Sequence, residues 1–255
     1  MSSEFLSSYI SNAEYDLKRL VPMLIQQADP DVASKVGFYF RQKGTCDFLR
    51  TGRVNVFFDC LHRSAGSYLF YLQKADDAHK HTSASESFFD AIICGLWDCA
   101  KLMADNARQS FNFDCEYEED FLYYHFLMTY FFGCNSRSTE AGARILADYE
   151  RVLSGQPDDR FLLCKAFYEK DTKEFLYSFE HFLEARSDSI DRMIEREVIG
   201  EDEWSWSKYV SHEGLALLKL AERLRLEVDS GYSQIPEVLR RHPSMHFDPE
   251  LWTQM

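Results

Sequence analysis

Turn-forming residues are scarce in this chain. Eleven Gly and six Pro among 255 residues leave few helix breakers, and no low-complexity linker divides the chain. Sustained two-residue alternation with β-branched enrichment is missing, so no sheet is expected. None of the seven cysteines (Cys46, Cys60, Cys94, Cys99, Cys115, Cys134 and Cys164) forms a Cys-x-x-Cys pair. Their odd number and their apolar-face spacing fit free thiols in a reducing cytoplasm, the expected compartment. Met1 to Leu20 lacks a basic segment followed by an apolar one, being interrupted by Glu4 and Asp16, so no secretory signal is expected. The longest uncharged run, Phe121 to Ser136, is 16 residues and contains Tyr123, Tyr124, His125 and Asn135. That is too short and too polar to cross a bilayer, so a soluble protein is expected, with no membrane partner.

What the chain does have is aromatic mass. Phe (21), Tyr (14) and Trp (4) supply ample area for a core and argue against disorder. Apolar residues recur at three- and four-residue steps nearly throughout, the mark of amphipathic helices. Leu6, Tyr9, Ile10, Ala13, Leu17, Leu20 and Leu24 open the series, which the Asp29-Pro30-Asp31 turn ends. A second helix runs to about Arg50, and a third uses Phe57, Leu61, Ala65, Tyr68 and Leu72. A fourth is predicted from a Ser83–Glu86 capping box through Phe89, Leu96 and Met103 to Ala107. A fifth spans Glu118 to Phe132 with apolar residues all round, which places it at the centre of the core. Further helices follow at about 139–153, 158–168, 171–194, 204–224 and 236–241. The expected fold is therefore all-α, a single domain of about nine or ten helices in stacked antiparallel hairpins. It is tetratricopeptide-like in style, without a clean repeat.

Charge is unevenly spread. The formal net charge is −14, yet residues 1–110 carry 12 Lys+Arg against 13 Asp+Glu, while residues 111–255 carry 16 against 29. A near-neutral N-terminal lobe and an acidic C-terminal lobe are thus expected. Such a chain is a poor partner for nucleic acid and a good one for a basic protein. One acidic cluster holds Asp114, Glu116, Glu118, Glu119 and Asp120. Another holds Glu195, Glu197, Glu201, Asp202 and Glu203 and leads into Trp204 and Trp206. Carboxylates also gather at helix N-termini for the macrodipole alone, and each Trp has a core reading beside the binding one. The asymmetry between the two parts is what favours a binding role. The candidate contacts are Glu118, Glu119, Asp120, Glu201, Asp202, Glu203, Trp204 and Trp206.

Catalytic and metal motifs are not apparent. Cys60 and His62 lie two apart, about 200° round a helix, and cannot share a face. His79 and His81 lack a third ligand, and Pro243 separates His242 from His246. Glu180 and Glu184 share a face without the repeated Glu-x-x-His of a di-iron bundle. No Gly-x-Ser-x-Gly, P-loop or dinucleotide fingerprint occurs, so no metal or cofactor is expected. His125, inside the aromatic helix, reads as a hydrogen-bonded core histidine.

Phe161-Leu162-Leu163-Cys164-Lys165-Ala166, then Asp171 opening a helix with Phe175 to Leu183, precede an acidic gap. Ser211-His212-Glu213-Gly214-Leu215-Ala216-Leu217, Leu220-Ala221 and an Ile235-Pro236 turn follow it. This C-terminal third resembles the immunity protein 49 family, all-helical immunity proteins of bacterial polymorphic toxin systems. The resemblance implies a protein that is not an enzyme and that binds and neutralises a cognate toxin domain. A basic, nucleic-acid-targeting toxin would suit the acidic chain. A helical scaffold for an endogenous protein is the alternative, and an enzyme built around His125 or Glu180 a third reading.

Overall fold

Side-chain acceptors sit where helices begin. Asp29 accepts from the Val32 amide at 3.0 Å, Asp158 from Phe161 at 2.6 Å, and Ser211 from Gly214 at 3.0 Å. Asp171 caps two amides at once, those of Lys173 and Glu174. Each satisfies donors that the first helical turn leaves without partners. The computed structural model describes residues 3–133, 135–196, 206–241 and 245–254. Among them are α1 (Ser3–Gln27), α2 (Pro30–Thr51), α3 (Val54–Lys74), α4 (Glu86–Ile93), α5 (Trp97–Asn106) and α6 (Glu118–Phe132). The C-terminal part adds α7 (Asn135–Leu153), α8 (Asp159–Glu169), α9 (Thr172–Glu195), α10 (His212–Arg223) and α11 (Glu237–Arg240).

The architecture is all-α and is built from helical hairpins. α1 packs on α2, α2 on α3, α6 on α7 and α8 on α9. Contacts between distant parts of the chain then close the body: α10 lies against α4, and α6 also meets α8. One buried apolar cluster draws on α1 through α10 and ends at Trp252. α6 is central as its pattern predicts, burying Phe121, Leu122, Tyr123, Tyr124, Phe126, Leu127, Met128 and Phe132. α4 is more enclosed still, with every residue from Ser87 to Ile93 buried.

Two helices differ from the sequence expectation. The segment 86–107 is not one helix. Gly95 takes φ 67°, a left-handed conformation open to glycine, and turns the chain between α4 and α5. Nor does Ser83 cap α4. Ser85 is the cap residue, and its hydroxyl pairs with Tyr68 Oη at 2.9 Å instead of with the helix. Likewise the predicted 204–224 helix is broken. Residues 206–209 are helical, Val210 leaves the helix, and Ser211 starts α10 afresh.

The α2–α3 pair approaches closely. A Cβ on Gly44 would lie 2.7 Å from Cys60 Cβ and 3.2 Å from the Phe57 carbonyl oxygen. The chain end is latched back onto α3. Arg63 donates to the Leu251 carbonyl at 2.7 Å, and Trp252 packs 5.1 Å from Phe70. No helix among the described residues is long and apolar enough to cross a membrane.

Candidate functional site

The acidic cluster at 114–120 surrounds a turn held from below. Glu116 accepts from the Ser83 amide at 2.7 Å and from the Asn112 amide at 3.3 Å. The Cys115 and Glu116 amides both donate to the buried Asn112 carbonyl at 3.0 Å. Nearby, Thr82 Oγ1 donates to the Arg108 carbonyl at 2.8 Å. On this braced turn Phe113 is 78% exposed and Tyr117 75% exposed. Two large aromatics thus face solvent from a segment in which the Asn112, Cys115 and Glu116 amides are bonded, with Asp114 exposed between them.

The sequence candidates divide in three ways. Glu118, Glu119 and Asp120 form the first turn of α6, half-buried, where the macrodipole favours them. Glu118 lies 3.8 Å from Arg151. Asp120 turns inward to Arg160 at 3.1 Å, and burial raises its pKa against the opposing pull of that guanidinium. Glu201, Asp202, Glu203 and Trp204 lie outside the described residues. Trp206 is only 3% exposed and packs edge-on to Phe38 at 5.7 Å, beside Leu6 and Cys46. It is a wall residue of an interior cleft, not a surface contact.

That cleft gathers charge the sequence does not bring together. A cavity of about 270 Å³ is lined by Phe38, Arg41, Glu86, Phe89, Tyr124, Arg160, Arg186, Trp206, Ser207, His212 and Glu213. A neighbouring cavity of about 400 Å³ shares Arg160, Arg186, Ser207 and Glu213 with it and continues to Asp158 and Asp159. Arg41, on α2, donates to Asp90 at 3.1 Å and to Glu86 at 3.5 Å on α4. Asp90 also accepts from Ser64 at 2.5 Å, and burial pushes its pKa up to about 6 against the pull of Arg41. Arg160, on α8, holds Glu213 of α10 through two bonds of 2.9 and 3.0 Å and lies 4.9 Å over the Tyr123 ring. Arg186, on α9, donates to the Gln234 side-chain oxygen and, at 2.7 Å, to the Ser207 carbonyl.

The histidines and cysteines offer little chemistry. His212 bonds Thr45 Oγ1 at 3.1 Å and stacks on Phe57 at 5.6 Å; burial, with Arg41 and Arg186 adding, depresses its pKa far below the usual histidine value. His125 stacks on Phe121 at 5.1 Å and burial lowers its pKa, but no hydrogen bond joins it to another described residue. The expected core hydrogen bond is thus not made among the described residues. Burial pushes the Cys46, Cys60 and Cys99 thiols up to about 12, so they serve as small hydrophobes. Among the described residues no three His, Cys, Asp or Glu side chains are placed to hold a metal ion.

No family model matches the chain, and no curated protein or solved structure is significantly similar to it.

Proposed function

We propose that this protein is a cytoplasmic immunity protein that captures a cognate toxin domain with a basic surface and blocks it without catalysis. The observation that carries the reading is the exposure of Phe113 and Tyr117 on a braced turn within an acidic cluster. Exposed aromatics on ordered backbone lose little conformational freedom when a partner covers them, so they make efficient anchors. Asp114, Glu118 and Glu119 beside them steer a cationic surface inward and set its orientation. The −13 imbalance of residues 111–255 extends that field beyond the turn. The family resemblance of the C-terminal third supports the same role.

The toxin would itself need cationic side chains to approach nucleic acid, which makes charge complementarity the natural mode of inhibition. Covering the turn and its acidic rim engages the centre of an interface of ordinary size, about 800 Å² per partner. The test is co-expression with the product of the adjacent gene. The expected result is rescued growth, a stable complex and an association rate that falls with salt. A complex with an endogenous basic protein and no rescue assigns the surface to an adaptor and sinks the toxin reading.

A further inference from the structure

A groove of about 230 Å³ lies between α7 and α8. Its floor is apolar: Leu146 and Ala147 from α7, Phe161 and Tyr168 from α8. Leu146, Phe161 and Tyr168 are half-buried, packing against the core cluster while they line the groove, and Ala147 is exposed. The rim is charged and open to solvent, with Glu150 on the α7 edge and Lys165 and Glu169 on the α8 edge.

The two helices run antiparallel, and two contacts fix their register. A Cβ on Gly142 would lie 3.7 Å from the Tyr168 ring, and Tyr149 meets Phe161 at 5.3 Å. Glu169 therefore stands level with Ala141, at one end of the groove. Glu150 stands at the other end and on the opposite edge, about nine residues further along α7, or roughly 13 Å at the rise of an α-helix. Lys165 falls near the middle.

We propose that this groove seats an amphipathic helix of a basic protein partner, with a Lys or Arg at each end of the helix's apolar stripe. Residues about nine apart on an α-helix lie roughly 13 Å apart and on opposite flanks, as the two acids do. Between those flanks, apolar residues at successive steps of four, three and four face one side and meet the floor. A second copy of this chain is the wrong occupant. Either two-fold arrangement of facing grooves gathers two acids at each end and two Lys165 side chains at the middle, all like charges. The inference adds a contact to the proposed role, and it rests on that reading only in taking the partner to be a basic protein.

Fluorescence anisotropy of the full chain with a labelled helical peptide, at low salt, tests it. The peptide carries four Leu at steps of four, three and four, with Lys directly after the first Leu and directly before the last. One control replaces both Lys with Glu, and another moves both Lys to the face opposite the Leu. The Lys peptide is expected to bind about tenfold more tightly than the Glu peptide and several-fold more tightly than the other, the worth of two exposed ion pairs. Glu150→Lys combined with Glu169→Lys is expected to invert the preference, so that the Glu peptide binds better. Ala147→Gln narrows the groove at an exposed, uncharged position and is expected to weaken the Lys peptide about fivefold or more. A preference that survives the charge swap puts the peptide elsewhere on the acidic surface and overturns the assignment. Undiminished binding by Ala147→Gln does the same, as does a failure of the Lys peptide to bind. Only the chain and a synthetic peptide take part, so such a failure removes the groove and leaves the toxin reading to its own co-expression test.

Discussion

Arg160 and Glu213 meet through two parallel bonds, Nε to Oε1 at 2.9 Å and Nη2 to Oε2 at 3.0 Å, and so tie the start of α8 to the start of α10. The two residues sit 53 positions apart. A cation in the first turn of α8 works against the helix macrodipole, so its placement reflects the partners and not the helix. Glu213 and Asp120 both lean on it, and the Tyr123 ring lies beneath. Glu213→Gln keeps the shape and removes the charge. Urea unfolding is expected to show a loss of about 1–2 kcal/mol, discounted for the partial exposure of both side chains. In an Arg160→Met background the same change is expected to cost much less, because the pair is then already broken. Equal costs in both backgrounds would mean the pair is not coupled.

Gly44 separates packing from propensity. Ala is the better helix former by about 1 kcal/mol, so propensity alone predicts that Gly44→Ala stabilises α2. The added Cβ would meet Cys60 Cβ at 2.7 Å and the Phe57 carbonyl at 3.2 Å, neither of them the end of a flexible side chain. A net loss of about 1–3 kcal/mol is expected from overpacking. Thermal or urea unfolding gives the sign directly, and a stabilised variant rejects the close approach of α2 and α3.

The helices were legible because their ends carry local chemistry. Asp29-Pro30, Asp158 and Asp171 announce their caps, and the structure uses each of them. The break at Gly95 was not legible, since apolar spacing runs through it from Ile92 to Cys99 and only the turn geometry requires the interruption. Trp206 beside an acidic run had both a core and a contact reading, and sequence alone does not decide between them; in the fold it packs against Phe38 and Leu6. The cleft escaped because Arg41, Arg160 and Arg186 come from three helices with no shared spacing. Two signals were present. Arg41 falls next to Phe40 on the inward side of α2, and Arg160 stands in a first turn where cations are disfavoured. Phe113 and Tyr117 lie in a stretch without helical period, so no pattern predicted whether they face inward or out.

Acid should unfold this protein earlier than its carboxylates alone suggest. Burial lowers the pKa of His62, His125 and His212, the last most strongly. A folded pKa below the unfolded value of about 6.5 means the unfolded chain takes up protons first. The stability held by these groups is therefore complete above about pH 6.5 and is lost as pH falls below it, at about 1.4 kcal/mol per pH unit for each histidine still neutral in the fold. Asp90 acts in the opposite sense. Its pKa is pushed up to about 6 by burial, so protonation of the folded state gives back some stability between pH 6 and its unfolded value near 4. Urea midpoints measured from pH 7.5 down to pH 5 are expected to fall, and His212→Gln is expected to make the slope shallower. A flat profile across that range rejects the buried neutral histidines.

Phe113 and Tyr117 test whether the exposed turn is there for a partner. Both side chains are largely in solvent, so replacing the pair with Ser removes little buried area and should change stability by no more than about 0.5 kcal/mol. The turn itself persists, because Glu116, Asn112 and Ser83 hold it through bonds that neither aromatic side chain makes. Partner affinity should nevertheless fall by about 30-fold or more, the behaviour of anchor residues near the centre of an interface. Charge reversal at Glu118 and Glu119 should act differently, slowing association and flattening its salt dependence while leaving dissociation nearly unchanged. Surface plasmon resonance at two ionic strengths separates the two effects. If the double Ser variant binds its partner as tightly as the unaltered chain, the turn is not the contact, and the search moves to the acidic segment that precedes Trp206.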